Sequence, residues 1–251
     1  MNQQQFPDEF ESSSGTLGAL LKTSLIDFPA HVSSVYFLTG CNLRCPYCYN
    51  FSLAQSTESK ENLVSPDDVL RHLQKRKAVL SGFVISGGEP LLSSALPYLI
   101  KSAKELGYKI KLDTNGTLPE KLLRIVSDSE LCPDFIAMDI KTSPKNYRLL
   151  SMSDNGKINL EEKITQSIQI LSNLPSQKRE WRTVLVPQLV KSDDIENMAH
   201  LLPRDASWQF ARFKNTSCLN PEYNGSPLYT ESEINALIAS ARKTIPGASL
   251  R

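Results

Sequence analysis

The sequence predicts an α/β fold in which six strand–helix units form a partial (βα)6 barrel, TIM-like but open on one side. Two observations carry this. Strand-like apolar runs rich in β-branched and aromatic residues alternate with helix-like periodic stretches about six times, the pattern of parallel strands joined by right-handed crossovers. Residues suited to chemistry also recur at the same end of successive strands, where parallel β/α folds gather their binding groups. Six units are too few to close an eight-stranded barrel.

Taken in order, a short strand at 16–21 is expected outside the barrel. The barrel strands are expected at 34–38, 82–86, 108–113, 134–140, 181–186 and 208–213. Between them lie helices near 66–76, 93–106, 118–127, 160–173 and 192–202, with a last one at 231–243. The first of these helices has a clear start, with Ser65 as N-cap and Pro66 at the first helical position. The polar stretch 54–62 reads as an excursion between a cysteine-bearing loop and this helix. No linker divides the 251 residues, so 16–251 is expected as a single domain behind a flexible N-terminus, 1–15.

Composition excludes several classes. Hydrophobic content of 40% and charged content of 22% suit a globular protein with a core, and a net charge of +1 gives no reason to expect a nucleic-acid or membrane partner. No apolar run approaches the roughly 18 residues needed to span a bilayer, and the polar N-terminus lacks the marks of a signal peptide. Five cysteines, three clustered and two alone, make a poor disulfide framework and point to the cytoplasm.

The clustered three, Cys41, Cys45 and Cys48, directly follow the first barrel strand with C-x3-C-x2-C spacing. Three thiolates can hold three irons of a four-iron cluster and leave the fourth open. The alternative is a zinc site, which needs a fourth ligand, with His72 or Cys132 as candidates. Gly87-Gly88-Glu89-Pro90 follows the second strand. The glycines let backbone approach a ligand, and the carboxylate could accept from an ammonium group; the same residues would also serve as a plain strand-to-helix turn. Asp113 and Thr114 end the third strand before an Asn-Gly turn. Asp139 and Lys141, two apart at the end of the fourth, share a face, although Lys141 could also be a rim lysine. Arg182 begins the fifth and could be the buried partner of a carboxylate. His31, His72 and His200 fall on loops or helix surfaces. Cys132 sits at the wrong end for the site, and Cys218 reads as structural.

The segment Thr39–Asn50 resembles the cluster-binding loop of the radical S-adenosylmethionine (SAM) superfamily, including the aromatic Tyr47 before the third cysteine. The likeness extends over roughly 16–225, through Thr23-Ser24-Leu25-Ile26-Asp27-Phe28-Pro29, the segments 86–90, 112–116, 137–141, 182–187 and 208–213, and Cys218-Leu219-Asn220-Pro221-Glu222-Tyr223. It looks like the glycyl-radical-enzyme activating proteins, and most of all the anaerobic ribonucleoside-triphosphate reductase activating type. Tyr49 stands where many of these have His. The resemblance implies the radical SAM type of partial barrel and a [4Fe-4S] cluster on Cys41, Cys45 and Cys48. It places SAM against Tyr47, Asn50, Gly87, Gly88, Glu89, Asp113, Asp139, Lys141 and Arg182, and allows a monovalent cation at Asp113, Thr114 and Asp139. It further implies oxidoreductase chemistry: reductive cleavage of SAM to a 5′-deoxyadenosyl radical that takes hydrogen from a backbone glycine of a glycyl radical enzyme such as anaerobic ribonucleotide reductase. Flavodoxin or ferredoxin would supply the electron, under anaerobic conditions. The competing expectations are a radical SAM enzyme acting on a small molecule or peptide, and a non-catalytic iron–sulfur or zinc protein.

Overall fold

A computed structural model describes residues 15–150 and 159–251; apart from Gly15, the expected flexible N-terminus lies outside the described residues. Its centre is one eight-stranded sheet whose spatial order follows the chain. Gly18–Ser24 (β1) pairs antiparallel with Ser33–Leu38 (β2). Then Gly82–Gly87 (β3), Lys109–Thr114 (β4), Phe135–Asp139 (β5), Arg179–Leu185 (β6) and Trp208–Arg212 (β7) add in parallel, and Ala248–Leu250 (β8) adds parallel to β7. Each parallel strand lies beside its predecessor, as right-handed crossovers require. Among the described residues β1 and β8 do not pair, so the sheet is open along one side, as the sequence predicts.

The early strand runs to Ser24 rather than stopping at residue 21, and its end carries a register irregularity between Leu21 and Ser24. β8 has no counterpart in the sequence reading. Three residues, Ala-Ser-Leu, carry too little periodicity to register as a strand, and it exists because β7 offers an edge, with Trp208 opposite Ala248.

The helices are Phe51–Ala54 (α1), Pro66–Lys75 (α2), Leu96–Glu105 (α3), Pro119–Ser127 (α4), Leu160–Ser172 (α5), Ser192–Ala199 (α6) and Glu231–Arg242 (α7). Ser65 caps α2 as expected, in a reciprocal box with Asp68. Of the expected excursion 54–62, Ala54 closes α1 and Lys60–Asn62 forms a single 3₁₀ turn. None of these helices is long and apolar enough to cross a membrane.

Strand alternation sorts the side chains onto two faces. Tyr36, Leu38, Phe83, Ile85, Ile110, Leu112, Ile136, Met138, Trp181, Trp208 and Phe210 face outward and pack with the helices in one large core. Val35 and Val84 face inward, where Phe28 from the β1–β2 connection joins them in a separate small cluster. Phe28 lies 6.2 Å from the ring of Phe135, at the start of β5, and so plugs the amino-terminal end of the barrel. Above that plug the lumen turns polar: Lys111, level with Val84 and Phe135, is followed by Asp113, Asp139 and Arg182. The carboxyl-terminal mouth of the barrel is therefore where charge and open space coincide.

Candidate active site

The cysteine loop leaves β2 through Thr39 and Gly40. Its backbone folds on itself, with the Cys48 N–H donating to the Cys45 carbonyl at 3.0 Å. Arg44 Nη1 donates to the carbonyls of Cys41 and Leu43, both at 2.8 Å. Neighbouring loops hold it from several sides. The Arg44 N–H donates to Leu150 O (2.8 Å), beyond β5; Pro46 O accepts from the Asn220 N–H (2.8 Å), beyond β7. Tyr49 Oη accepts from the Lys214 N–H at 2.7 Å, and Tyr47 meets the Phe213 ring edge-on at 6.4 Å. The three thiols are thus presented on a braced loop rather than on a free strand of chain.

The glycine turn after β3 grips the root of that loop. The Gly88 N–H donates to Leu38 O and the Glu89 N–H to Gly40 O, each at 2.9 Å. The approach is so close that a Cβ on Gly88 would fall 1.9 Å from the Gly40 carbonyl oxygen, and Gly87 has φ +115°; only glycine fits either position. Glu89 itself turns away from the mouth. It is 1% exposed, and its carboxylate accepts from Leu91 N (3.1 Å), Thr114 Oγ1 (2.8 Å) and Asn115 N (2.7 Å). Burial pushes its pKa up to about 7 against the pull of these donors. The side chain expected to meet the methionine end of SAM is therefore off the cavity wall, and its carboxylate binds the β3 and β4 loops together. Glu89→Ala should strand three buried donors and cost roughly 3 kcal/mol or more, lowering Tm by about 6–12 °C in a thermal melt. A melt unchanged within about 2 °C would refute that structural role.

Below the mouth, three strands, β4, β5 and β6, meet in a chain of ion pairs. Asp113 accepts from Lys111 Nζ (2.7 Å) and Ser86 Oγ (3.0 Å), and pairs with Arg182 Nη1 at 3.2 Å. Arg182 Nε donates to Asp139 Oδ1 (2.7 Å), and Lys141 Nζ sits 3.2 Å from Asp139 Oδ2. Burial alone would raise both aspartates. The cations outweigh it, Arg182 with Lys111 at Asp113 and Arg182 with Lys141 at Asp139, and hold both carboxyls below their ordinary value. For Lys141 burial works toward deprotonation, yet Asp139 keeps it charged, with a pKa well above the usual ammonium range. Its backbone N–H is fixed by the buried Tyr147 hydroxyl at 3.0 Å.

These groups border a cavity of about 210 Å³. Cys41, Cys45 and Cys48 line it with Tyr47, Asn50, Ser86, Gly87, Gly88, Asp113, Asp139 and Lys141. Of the sequence-predicted set, only Glu89 and Arg182 lie off its wall, Arg182 being committed to the two aspartates. Asp113, Thr114 and Asp139, the trio expected for a monovalent cation, all reach the wall, with both carboxylates paired to Arg182 and the threonine hydroxyl donated to Glu89. Val184 and Leu43 also line the cavity and carried no sequence signal of their own; Tyr49, noted in the sequence as standing where many of the resembling proteins have His, lines it as well.

The donor set fits an iron–sulfur cluster. Three cysteines line one cavity, and two N–H groups, Leu43 N at 3.4 Å and Asn115 Nδ2 at 3.8 Å, are directed at Cys41 Sγ. Burial pushes the Cys41 thiol up and that of Cys45 to about 12, so these thiols would stay protonated unless metal ions took them as thiolates. The wall also suits an amino-acid zwitterion. Lys141 and Asp139 offer opposite charges, the Gly87-Gly88 backbone leaves room beside them, and the Tyr47 hydroxyl is buried with no partner among the described residues. Neither candidate for a fourth zinc ligand is near. His72 Nε2 lies 3.1 Å from Ser34 Oγ behind the sheet, and Cys132 Sγ donates to Pro133 O at the opposite end of the barrel.

Comparison with known proteins agrees with this geometry. The model of the radical SAM superfamily matches residues 35–201. A protein of Methanocaldococcus jannaschii, provisionally named a glycyl-radical enzyme activating enzyme, is 29% identical over 237 residues, covering 94% of this chain and 95% of that protein. The 7-carboxy-7-deazaguanine synthase of Haemophilus influenzae is 30% identical over 188 residues, 63% of this chain and 83% of the synthase. Among solved structures, Streptococcus suis SuiB bound to S-adenosylmethionine superposes with a TM-score of 0.60 at 17% identity, covering 86% of this chain and 48% of SuiB; at that identity the likeness shows a shared fold.

Proposed function

We propose, from the premise that this chain belongs to the radical SAM superfamily, that it is the activating enzyme of a glycyl radical enzyme, with an anaerobic ribonucleotide reductase as the favoured partner. The observation that carries the activase reading is the match to the M. jannaschii relative, which covers 94% of this chain and 95% of that protein. When bound, the [4Fe-4S] cluster and SAM would supply a 5′-deoxyadenosyl radical able to take hydrogen from a glycine of the partner.

The chain's own residues would do the rest. Cys41, Cys45 and Cys48 would hold the cluster by three corners. Lys141 would face the carboxylate of the SAM methionine end and Asp139 its ammonium, with the Gly87-Gly88 backbone and Asn50 fixing the orientation. Arg182 would act beneath them, keeping Asp113 and Asp139 ionised and in register across β4, β5 and β6. The apolar wall of Leu43, Tyr47 and Val184 would exclude water from a species that reacts with almost any C–H bond. A flavodoxin or ferredoxin in the same cytoplasmic, anaerobic setting would be the electron donor.

The test is anaerobic reconstitution with iron and sulfide, then dithionite and SAM, with a candidate reductase added. The expected result is 5′-deoxyadenosine together with a glycyl doublet in the electron paramagnetic resonance (EPR) spectrum of the reductase. Release of 5′-deoxyadenosine with no doublet from any glycyl radical enzyme of the host would reject the activase reading in favour of a small-molecule or peptide substrate. The 7-carboxy-7-deazaguanine synthase match makes that the second reading.

A further inference from the structure

We propose that Asn115 is a positioning residue that aims a side-chain N–H at the Cys41 sulfur and thereby raises the reduction potential of the cluster held there. The inference rests on the radical SAM reading of the cysteine loop. In the sequence, Asn115 stands out only as half of an Asn-Gly turn.

Which way the amide faces is settled by its neighbours. Asn115 Oδ1 accepts from the Thr117 N–H at 3.0 Å and from the Thr117 hydroxyl at 2.6 Å. The oxygen must therefore point at Thr117. That leaves Nδ2 toward Cys41 Sγ (3.8 Å) and the Asn42 Oδ1 acceptor (3.1 Å). Asn42 closes the ring by donating from its own Nδ2 to Thr117 Oγ1 at 2.7 Å. The Asn115 backbone N–H is fixed on Glu89, and the residue is 4% exposed, so water has little access to replace the amide. A buried polar side chain locked at three points and directed at a ligand sulfur is a built contact, beyond what a turn needs.

Its consequence follows from charge. A reduced cluster gains one electron from a low-potential one-electron donor and no proton, so its sulfurs become more negative. An N–H donor to a thiolate stabilises that state over the oxidised one, and such bonds are among the determinants of cluster potential. Losing one of them should cost about tenfold in the reduction equilibrium, which for one electron is about 59 mV.

The experiment compares wild type with Asn115→Asp, which keeps the acceptor for Thr117 and loses the donor, and with Asn115→Ala. Iron and sulfide are counted first, and the midpoint potential is then read by EPR titration without SAM. The expected result is full cluster loading and a reduction equilibrium about tenfold less favourable in both variants, with Asn115→Asp shifted further because it adds a negative charge. Full loading with a wild-type potential in both would overturn the proposal. Should the variants fail to load, pulsed EPR of the reduced wild-type cluster decides: with ¹⁵N-asparagine incorporated, a coupled ¹⁵N and an exchangeable proton are expected, and their absence overturns the proposal equally. A wild-type protein that takes up no iron and sulfide would instead sink the cluster reading itself, a separate outcome.

Discussion

Cys45→Ala will give a folded chain that holds no cluster and forms no 5′-deoxyadenosine, a loss of at least about 10⁴-fold. The fold should survive because the loop is braced by backbone rather than by the sulfur. The Arg44 bond to Leu150, the Cys48 bond to Cys45 O and the Asn220 bond to Pro46 all remain. Removing one buried sulfur atom costs on the order of 1–2 kcal/mol. The chemistry should not survive, because two remaining thiolates leave two corners of a cube to solvent. Iron and sulfide analysis with a visible spectrum checks the first half, and chromatography of the SAM reaction checks the second. Cys132→Ala provides the contrast, since Cys132 lies at the far end of the barrel with its thiol on Pro133 O; it should keep a full cluster and full turnover. A Cys45→Ala protein with wild-type iron would mean that another side chain takes its place, and the assignment of the three ligands would fall.

What could be read in the sequence was what depends on spacing and alternation. The Cys41–Cys48 spacing, the turns after β3 and β4, and the β/α rhythm all survive translation into geometry, because each is local to one strand and its following loop. What could not be read depends on pairing between distant segments. Glu89 reads as a ligand because a carboxylate beside two glycines at a strand end is where a ligand belongs. It is turned aside by Thr114 and Asn115, 25 and 26 residues later. Arg182 reads equally as cofactor contact or carboxylate partner; register settles it, since β5 and β6 set Asp139 opposite Arg182. Lys111 gave no signal at all. A lysine in a strand looks like a surface residue, yet it is 1% exposed in the lumen, which a chain tolerates only where an aspartate waits two residues along on the same face. Tyr49, which stands where many of the resembling proteins have His, accepts on its hydroxyl from the Lys214 N–H in the β7–α7 loop, a contact invisible without the fold.

Gly88→Ala should be the most damaging substitution that leaves every ligand and every charged group in place. The added carbon would sit 1.9 Å from Gly40 O and 3.2 Å from Cys41 Cβ. The nearer obstacle is backbone, so no side chain can swing away to relieve it. Either the β3 turn withdraws, breaking the Gly88 bond to Leu38 and the Glu89 bond to Gly40, or the root of the cysteine loop moves outward. The first course costs roughly 1 kcal/mol per hydrogen bond and loosens the wall that would carry the methionine end of SAM. The second displaces Cys41 from Asn115 and from the other two sulfurs. A displacement of about 1 Å in a preorganised site is worth about 10²-fold in rate, so turnover should fall by at least that factor, with SAM affinity falling alongside. Equilibrium dialysis of SAM against the reconstituted protein, beside the 5′-deoxyadenosine assay, measures both. The two courses are distinguishable: withdrawal of the turn spares iron content and weakens SAM, whereas displacement of the loop lowers iron content first. Normal iron, normal SAM affinity and normal turnover together would show that the close approach of the two loops has no part in the reaction, and the placement of the methionine end against Gly87 and Gly88 would have to be abandoned.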